Sequence, residues 1–218
     1  MAIRQPDRQL QLIAIARRLF AERGYDGTSL RDIATEAGVT KAALYHHFPN
    51  KSELYRKIAV DGMRDLYEAA RGAVLAHESP LAKLRAFMRA SAEYFEANRD
   101  QWLANSSAFW HTHDPGPRSA TVEYRDAYEH LLRKCIDDGI AQGEVEPCVN
   151  AALAAKLLLS GITHLARWYT PAGSMTAAQI IDEFVNMTLA GIERKAARPA
   201  AAKVGRRSSN QTSSSLTA

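Results

Sequence analysis

Thr28–Lys51, TSLRDIATEAGVTKAALYHHFPNK, is the stretch that decides the fold. Ser29, with Asp32 three residues on, has the form of an N-cap followed by an acidic first turn, and opens a helix through Ala37. Gly38 breaks that helix. Thr40 caps a short helix from Lys41 to Phe48, which Pro49 ends because a residue before proline is pushed out of the helical region. Ile33, Ala34, Val39 and Leu44 are spaced to pack the two helices on each other, and the small Ala34 and Ala37 let them cross closely. Two short helices about one tight turn make a helix-turn-helix, whose second helix is free to lie in the major groove of DNA. The N-terminal turn of that second helix carries the positive end of the helix dipole, and Thr40, Lys41 and Tyr45 add donors for phosphates.

Outward from this segment the chain reads as helix throughout, with apolar residues three and four apart and no sustained alternation for a strand. A first helix is expected over Asp7–Arg23, with Ile13, Ala16, Leu19 and Phe20 on one face and Gly24 as its stop. Asn50 and Glu53 start a long fourth helix toward Ala76. Leu81–Ala97, Asp100–Phe109, Arg118–Gln142, Val149–Tyr169 and Ala177–Lys195 follow, separated by Pro- and Gly-bearing breaks, with Thr176 and Gln179 forming another capping-box start. The expected fold is therefore all-α, with about nine helices: a DNA-binding head over residues 1–55, a ligand-binding and dimerisation body over 56–195, and a disordered basic tail over 196–218.

Charge is distributed to match. Residues 1–64 carry a net +4, residues 65–193 a net −6 and residues 194–218 a net +6. A basic head on an acidic body suits a chain whose N-terminal part meets a polyanion. The tail admits two readings, a dispensable end or a non-specific DNA arm. No N-terminal secretory signal is present, and the most apolar stretch, Ala151–Ile162, is interrupted by Lys156, so a cytoplasmic protein with no membrane partner is expected. Cys135 and Cys148 are expected as reduced thiols, with a redox pair as the alternative. Neighbouring His46 and His47 point about 100° apart on a helix and do not share a metal ion easily. His111 and His113 are read as loop residues before Pro115, with a metal site as the rarer alternative. No glycine-rich phosphate loop, G-x-S-x-G or His-Glu-x-x-His occurs, and neither an enzymatic activity nor a cofactor is expected.

Gly24–Leu54, with GY.GTSLRDIA..AGV.KAALYHHF.NK.EL, resembles the N-terminal domain of the TetR/AcrR family of repressors. The resemblance implies a homodimer on double-stranded operator DNA of pseudo-palindromic sequence. It puts Ser29 and Arg31 near the operator, and Thr40, Lys41, Ala42 and Ala43 at the groove-reading end of the recognition helix. Tyr45, His46 and His47 are implied to touch phosphates and bases, and Lys51 to pin a phosphate. Ala42 and Ala43 offer only methyl contacts, which leaves much of the specificity to Lys41, Arg31 and His46.

The C-terminal run Gly161–Ile192 is similar to the end of TetR-like regulators of fatty-acid, phenylacetate and steroid breakdown, several of which answer to acyl-CoA thioesters. This implies a small-molecule effector, an acyl-CoA, that releases the DNA; Arg118, Arg125, Arg133 or Arg167 would meet its phosphates. Trp102, Phe109, Trp110, Tyr124, Tyr128 and Trp168 are candidates for holding the acyl chain, the other reading being core and dimer packing. The acidic body points to the alternative, a lipophilic cation as sensed by a drug-efflux regulator; a non-regulatory DNA-binding protein is a further alternative, to which the acidic, aromatic-rich body is ill suited.

Overall fold

A computed structural model describes residues 5–104 and 120–192. Among them are eight helices: α1 Gln5–Arg23, α2 Leu30–Glu36, α3 Lys41–His47, α4 Lys51–Leu75, α5 Pro80–Ala97, α6 Ala120–Ala141, α7 Ala151–Trp168 and α8 Ala177–Ile192. A further helical turn at residues 99–104 follows α5, where the sequence predicts the start of Asp100–Phe109. The rest of that expected helix, the start at Arg118, the two histidines His111 and His113, and the basic tail lie outside the described residues, which contain no strand.

Caps set the boundaries as their chemistry requires. Ser29 and Asp32 form a reciprocal capping box on α2. Thr40 Oγ1 accepts from the Ala43 amide on α3, and Asn50 Oδ1 from Glu53 on α4. Thr176 and Gln179 exchange amide-to-side-chain bonds at the start of α8. The α2–α3 turn depends on Gly38 at φ +62°, a left-handed conformation that costs a residue with a Cβ roughly 1–2 kcal/mol.

Two apolar cores result. The head core gathers Leu12, Ala16, Leu19 and Phe20 of α1 with Ile33, Ala34, Leu44, Phe48, Leu54, Tyr55 and Ile58. The body core runs from Leu66 of α4 through Phe87, Phe95, Leu132, Leu158 and Ile181 to Leu189 of α8. Helix α4 serves both: its first two turns complete the head, and Leu66, Ala70 and Val74 sit in the body against α5 and α6. Helix α5 packs on α6 and α8, and α7 on α6 and α8. The α7–α8 crossing is close at Gly161, where a Cβ would stand 3.2 Å from the Phe184 ring.

Candidate nucleic-acid interface

Local sequence explains how the head offers α3. Leu44 and Phe48 are buried, so the opposite side of α3 faces outward. On that side Thr40, Lys41, Ala42, Ala43, Tyr45 and His46 are exposed, and His47 is half-buried at the last turn. Ser29 and Arg31 are exposed at the start of α2. Ser29, Arg31, Thr40 and Lys41 thus lie at the N-terminal ends of α2 and α3, where helix dipoles favour anions, whereas Tyr45, His46 and His47 lie toward the C-terminal end of α3. The Lys41 ammonium stands 5.4 Å from the centre of the Tyr45 ring, which keeps the two donors on one patch. Arg18 and Glu36 hold α1 to α2 through an exposed ion pair of 2.6 Å. Thr28, buried before the α2 cap, donates to the carbonyls of Gly24 at 2.9 Å and Leu19 at 3.2 Å.

Lys51, expected to pin a phosphate, makes contacts inside the head. Its Nζ is half-buried and donates to the Tyr25 carbonyl at 2.8 Å and the Thr28 carbonyl at 3.1 Å, with the Tyr25 ring centre 4.0 Å away. Two of its three N–H groups are therefore committed inside the head. Tyr25 in turn packs with Phe20 and Tyr55 as an aromatic trio at 4.8–5.9 Å.

The head meets the body at the 99–104 turn. Ala104 is fully buried within the head core, and its carbonyl accepts from Tyr55 Oη at 2.8 Å. Gln101 is buried one turn earlier; its Nε2 donates to the Ile58 carbonyl at 2.8 Å and its Oε1 accepts from Arg17 at 3.3 Å. None of these contacts has a signal in local sequence, although Gln101 beside Trp102 in a helical stretch marks the turn as polar on one side.

The expected effector residues are not brought together. Trp102 is buried against Phe95, and Tyr128 is buried against Phe87 with its hydroxyl donating to Ser91 Oγ at 2.7 Å. Burial pushes the Tyr128 phenol well above its ordinary pKa. Tyr124 is half-buried beside Tyr67. Arg133 lies five residues past Tyr128, roughly 140° around the helix, and reaches outward to His130 and Asp137. Arg167 and Trp168 are exposed at the end of α7. Trp102 and Tyr128 thus pack in the body core. Phe109, Trp110 and Arg118 lie outside the described residues.

Trp168 lines a different feature, an open hollow of about 420 Å3 with Tyr169, Met175, Ile180 and Phe184. Below it Tyr169 is buried, bonded to Glu96 and packed edge-to-face with Phe95. Burial pushes the Cys135 thiol up to about 11, whereas Cys148 is exposed. No cluster of three or more metal-ligating side chains occurs among the described residues, and no described helix is long and apolar enough to cross a membrane.

Comparison with known proteins fits this two-part build. Residues 12–58 match the family model for bacterial regulatory proteins of the tetR family, and residues 77–192 match the tetracyclin repressor-like C-terminal domain. The HTH-type transcriptional repressor KstR2 of Mycobacterium tuberculosis is 28% identical over 189 residues, 86% of this chain and 94% of the relative. The structure of the TetR family regulator PfmR from Thermus thermophilus is 34% identical, with a TM-score of 0.76 over 84% of this chain and 99% of that one. The structure of AibR in complex with isovaleryl coenzyme A and operator DNA is 29% identical, with a TM-score of 0.70 over 83% of this chain and 97% of that one. These relatives are transcriptional regulators and not enzymes. The helix-turn-helix model covers the head and the C-terminal model covers more than half of the sequence, so the chain belongs to the TetR family of bacterial transcriptional regulators.

Proposed function

We propose that the chain is a repressor that holds a pseudo-palindromic operator as a homodimer and releases it when an acyl-CoA thioester binds the body. The observation that carries this reading is the outward face of α3, with Thr40, Lys41, Tyr45 and His46 exposed while Leu44 and Phe48 anchor the helix from behind. In this reading Lys41, Arg31 and His46 read base edges, Ala42 and Ala43 meet thymine methyls, and Ser29, Thr40, Tyr45 and His47 hold phosphates. Support for repression comes from the KstR2 name, and support for the thioester from the AibR complex. Half-buried Arg133 and exposed Arg167 are cations for the CoA phosphates, and half-buried Tyr124, beside Tyr67 of α4, is a candidate for the acyl chain. Effector binding would favour a state in which the two heads no longer match successive major grooves, with α4 as the lever.

Fluorescence anisotropy on the DNA upstream of the protein's own gene, repeated with a panel of acyl-CoAs, tests both halves. Sequence-specific binding abolished by one thioester is the expected result. A second reading, a lipophilic cation as effector, is favoured by the net −6 of residues 65–193. Binding that no acyl-CoA disturbs but a cationic dye abolishes would select it and reject the thioester.

A further inference from the structure

We infer that Lys51 is a positioning residue for operator recognition, acting inside the head and not on the DNA backbone. This rests on the reading that the head binds operator DNA. Lys51 is the first residue of α4, three residues after Phe48 closes α3. Its ammonium reaches back across 26 residues to the Tyr25 carbonyl and across 23 to that of Thr28. Those two carbonyls bracket the connection between α1 and α2, whose last residue, Ser29, caps α2. One side chain therefore ties the segment entering α2 to the segment leaving α3, and the recognition unit lies between the two tied ends.

Chemistry favours this over a phosphate contact. A half-buried ammonium that lost its two carbonyls would have to find replacement partners for two of its donors. The Tyr25 face, 4.0 Å away, adds a cation–π attraction that strengthens as water is excluded. Only one N–H of the ammonium is left over for a phosphate, and turning it further outward would give up the carbonyls and the ring face. Tyr25 is itself held by Phe20 and Tyr55, so the clamp stands on a rigid base. Lysine suits the site because its compact ammonium carries three rotatable donors and addresses two carbonyls and a ring face together.

Salt dependence separates the two roles. Each phosphate neutralised contributes about 0.9 to the slope of log K against log salt, whereas an internal clamp contributes nothing. The experiment compares wild type, Lys51→Met and Tyr25→Leu on two duplexes across a salt series below the melting temperature. One duplex is the tightest binder selected from a randomised library, and the other is a scrambled duplex of the same composition. For Lys51→Met we expect selected-duplex affinity to fall about tenfold, scrambled-duplex affinity to stay within about twofold, and the salt slope to be unchanged. Tyr25→Leu keeps every positive charge and is expected to lose selected-duplex affinity in the same way. A parallel loss on both duplexes, with the slope lowered by about 0.9 per protomer, overturns the inference and restores the phosphate anchor. Unchanged selected-duplex affinity in both variants also overturns it. If wild type binds no duplex, the operator reading itself has failed, which is a distinguishable result.

Discussion

At the scale of single residues, the head is set by caps whose strength depends on charge. The Asp32 carboxyl accepts from the Ser29 hydroxyl at 2.6 Å and from the Ser29 amide at 2.9 Å. These bonds hold its pKa below the ordinary carboxylate value, the hydroxyl contributing most. A carboxylate whose folded pKa is depressed stabilises the fold fully above its unfolded pKa, near 3.9, and loses that stabilisation as pH falls through the folded value. Ser29→Ala removes the hydroxyl bond, so the Asp32 pKa should rise toward the ordinary value and the α2 cap should weaken by about 1 kcal/mol. An NMR titration of the Asp32 carboxyl, alongside thermal melts at neutral pH, checks both effects. An Asp32 pKa that did not move would mean that the backbone amide and nearby arginines, and not the hydroxyl, hold the carboxylate. Because Ser29 caps α2 at the surface assigned to DNA, the same substitution should weaken operator binding more than it weakens the fold.

At the scale of elements, the telling structure is the 99–104 turn, which Tyr55 and Gln101 tie to the head. Tyr55→Phe removes the donor to the Ala104 carbonyl, and Gln101→Ala removes the donor to the Ile58 carbonyl together with the acceptor for Arg17. Each should cost about 1 kcal/mol, the net contribution of a typical intramolecular hydrogen bond. Both bonds fasten one turn to one helix, so the double variant should lose less than the sum of the singles. Chemical denaturation of the four proteins in a double-mutant cycle measures this; strict additivity would show that the turn does not act as a unit. This joint also marks where legibility in the sequence ended. Ser29, Thr40, Asn50 and the Thr176–Gln179 pair could be read because a cap and its partner lie within three residues. Gly24 and Gly38 could be read because a helix stop needs positive φ, observed at +73° and +62°. Lys51 to Tyr25 spans 26 residues and Gln101 to Arg17 spans 84, so no local pattern announces either contact. The aromatic residues were ambiguous for another reason. Trp102, Tyr128 and Tyr124 have the same composition signature whether they line a pocket or fill a core, and only packing shows that Trp102 and Tyr128 fill one.

At the scale of the whole molecule, two adjacent helices leave an apolar face outward. Leu153 and Leu157 on α7 and Met187 on α8 are each more than 60% exposed, and Trp168 is 52% exposed beside the hollow that Met175 and Phe184 line. Scattered exposed apolar residues are ordinary, but these recur four and eleven residues apart along one helix and continue onto its neighbour. Such a face fits an isologous contact in which α7 and α8 of two protomers form a four-helix bundle about a twofold axis. The acidic body makes the alternative of a nucleic-acid contact on this face unfavourable. Near the middle of the stripe, Leu157→Glu would place two like charges in the apolar seam, one from each protomer, with no cation supplied by the symmetry. The variant should sediment as a monomer with unchanged helical content, since Leu157 contributes little to the body core in one chain. Operator affinity should then fall by about 10²-fold or more, because the second head no longer binds as part of the same molecule. Affinity for a single half-site should be preserved, and that separates lost dimerisation from a damaged head. A Leu157→Glu protein that remained dimeric in analytical ultracentrifugation would move the dimer contact elsewhere and leave the exposed face of α7 and α8 in need of another partner.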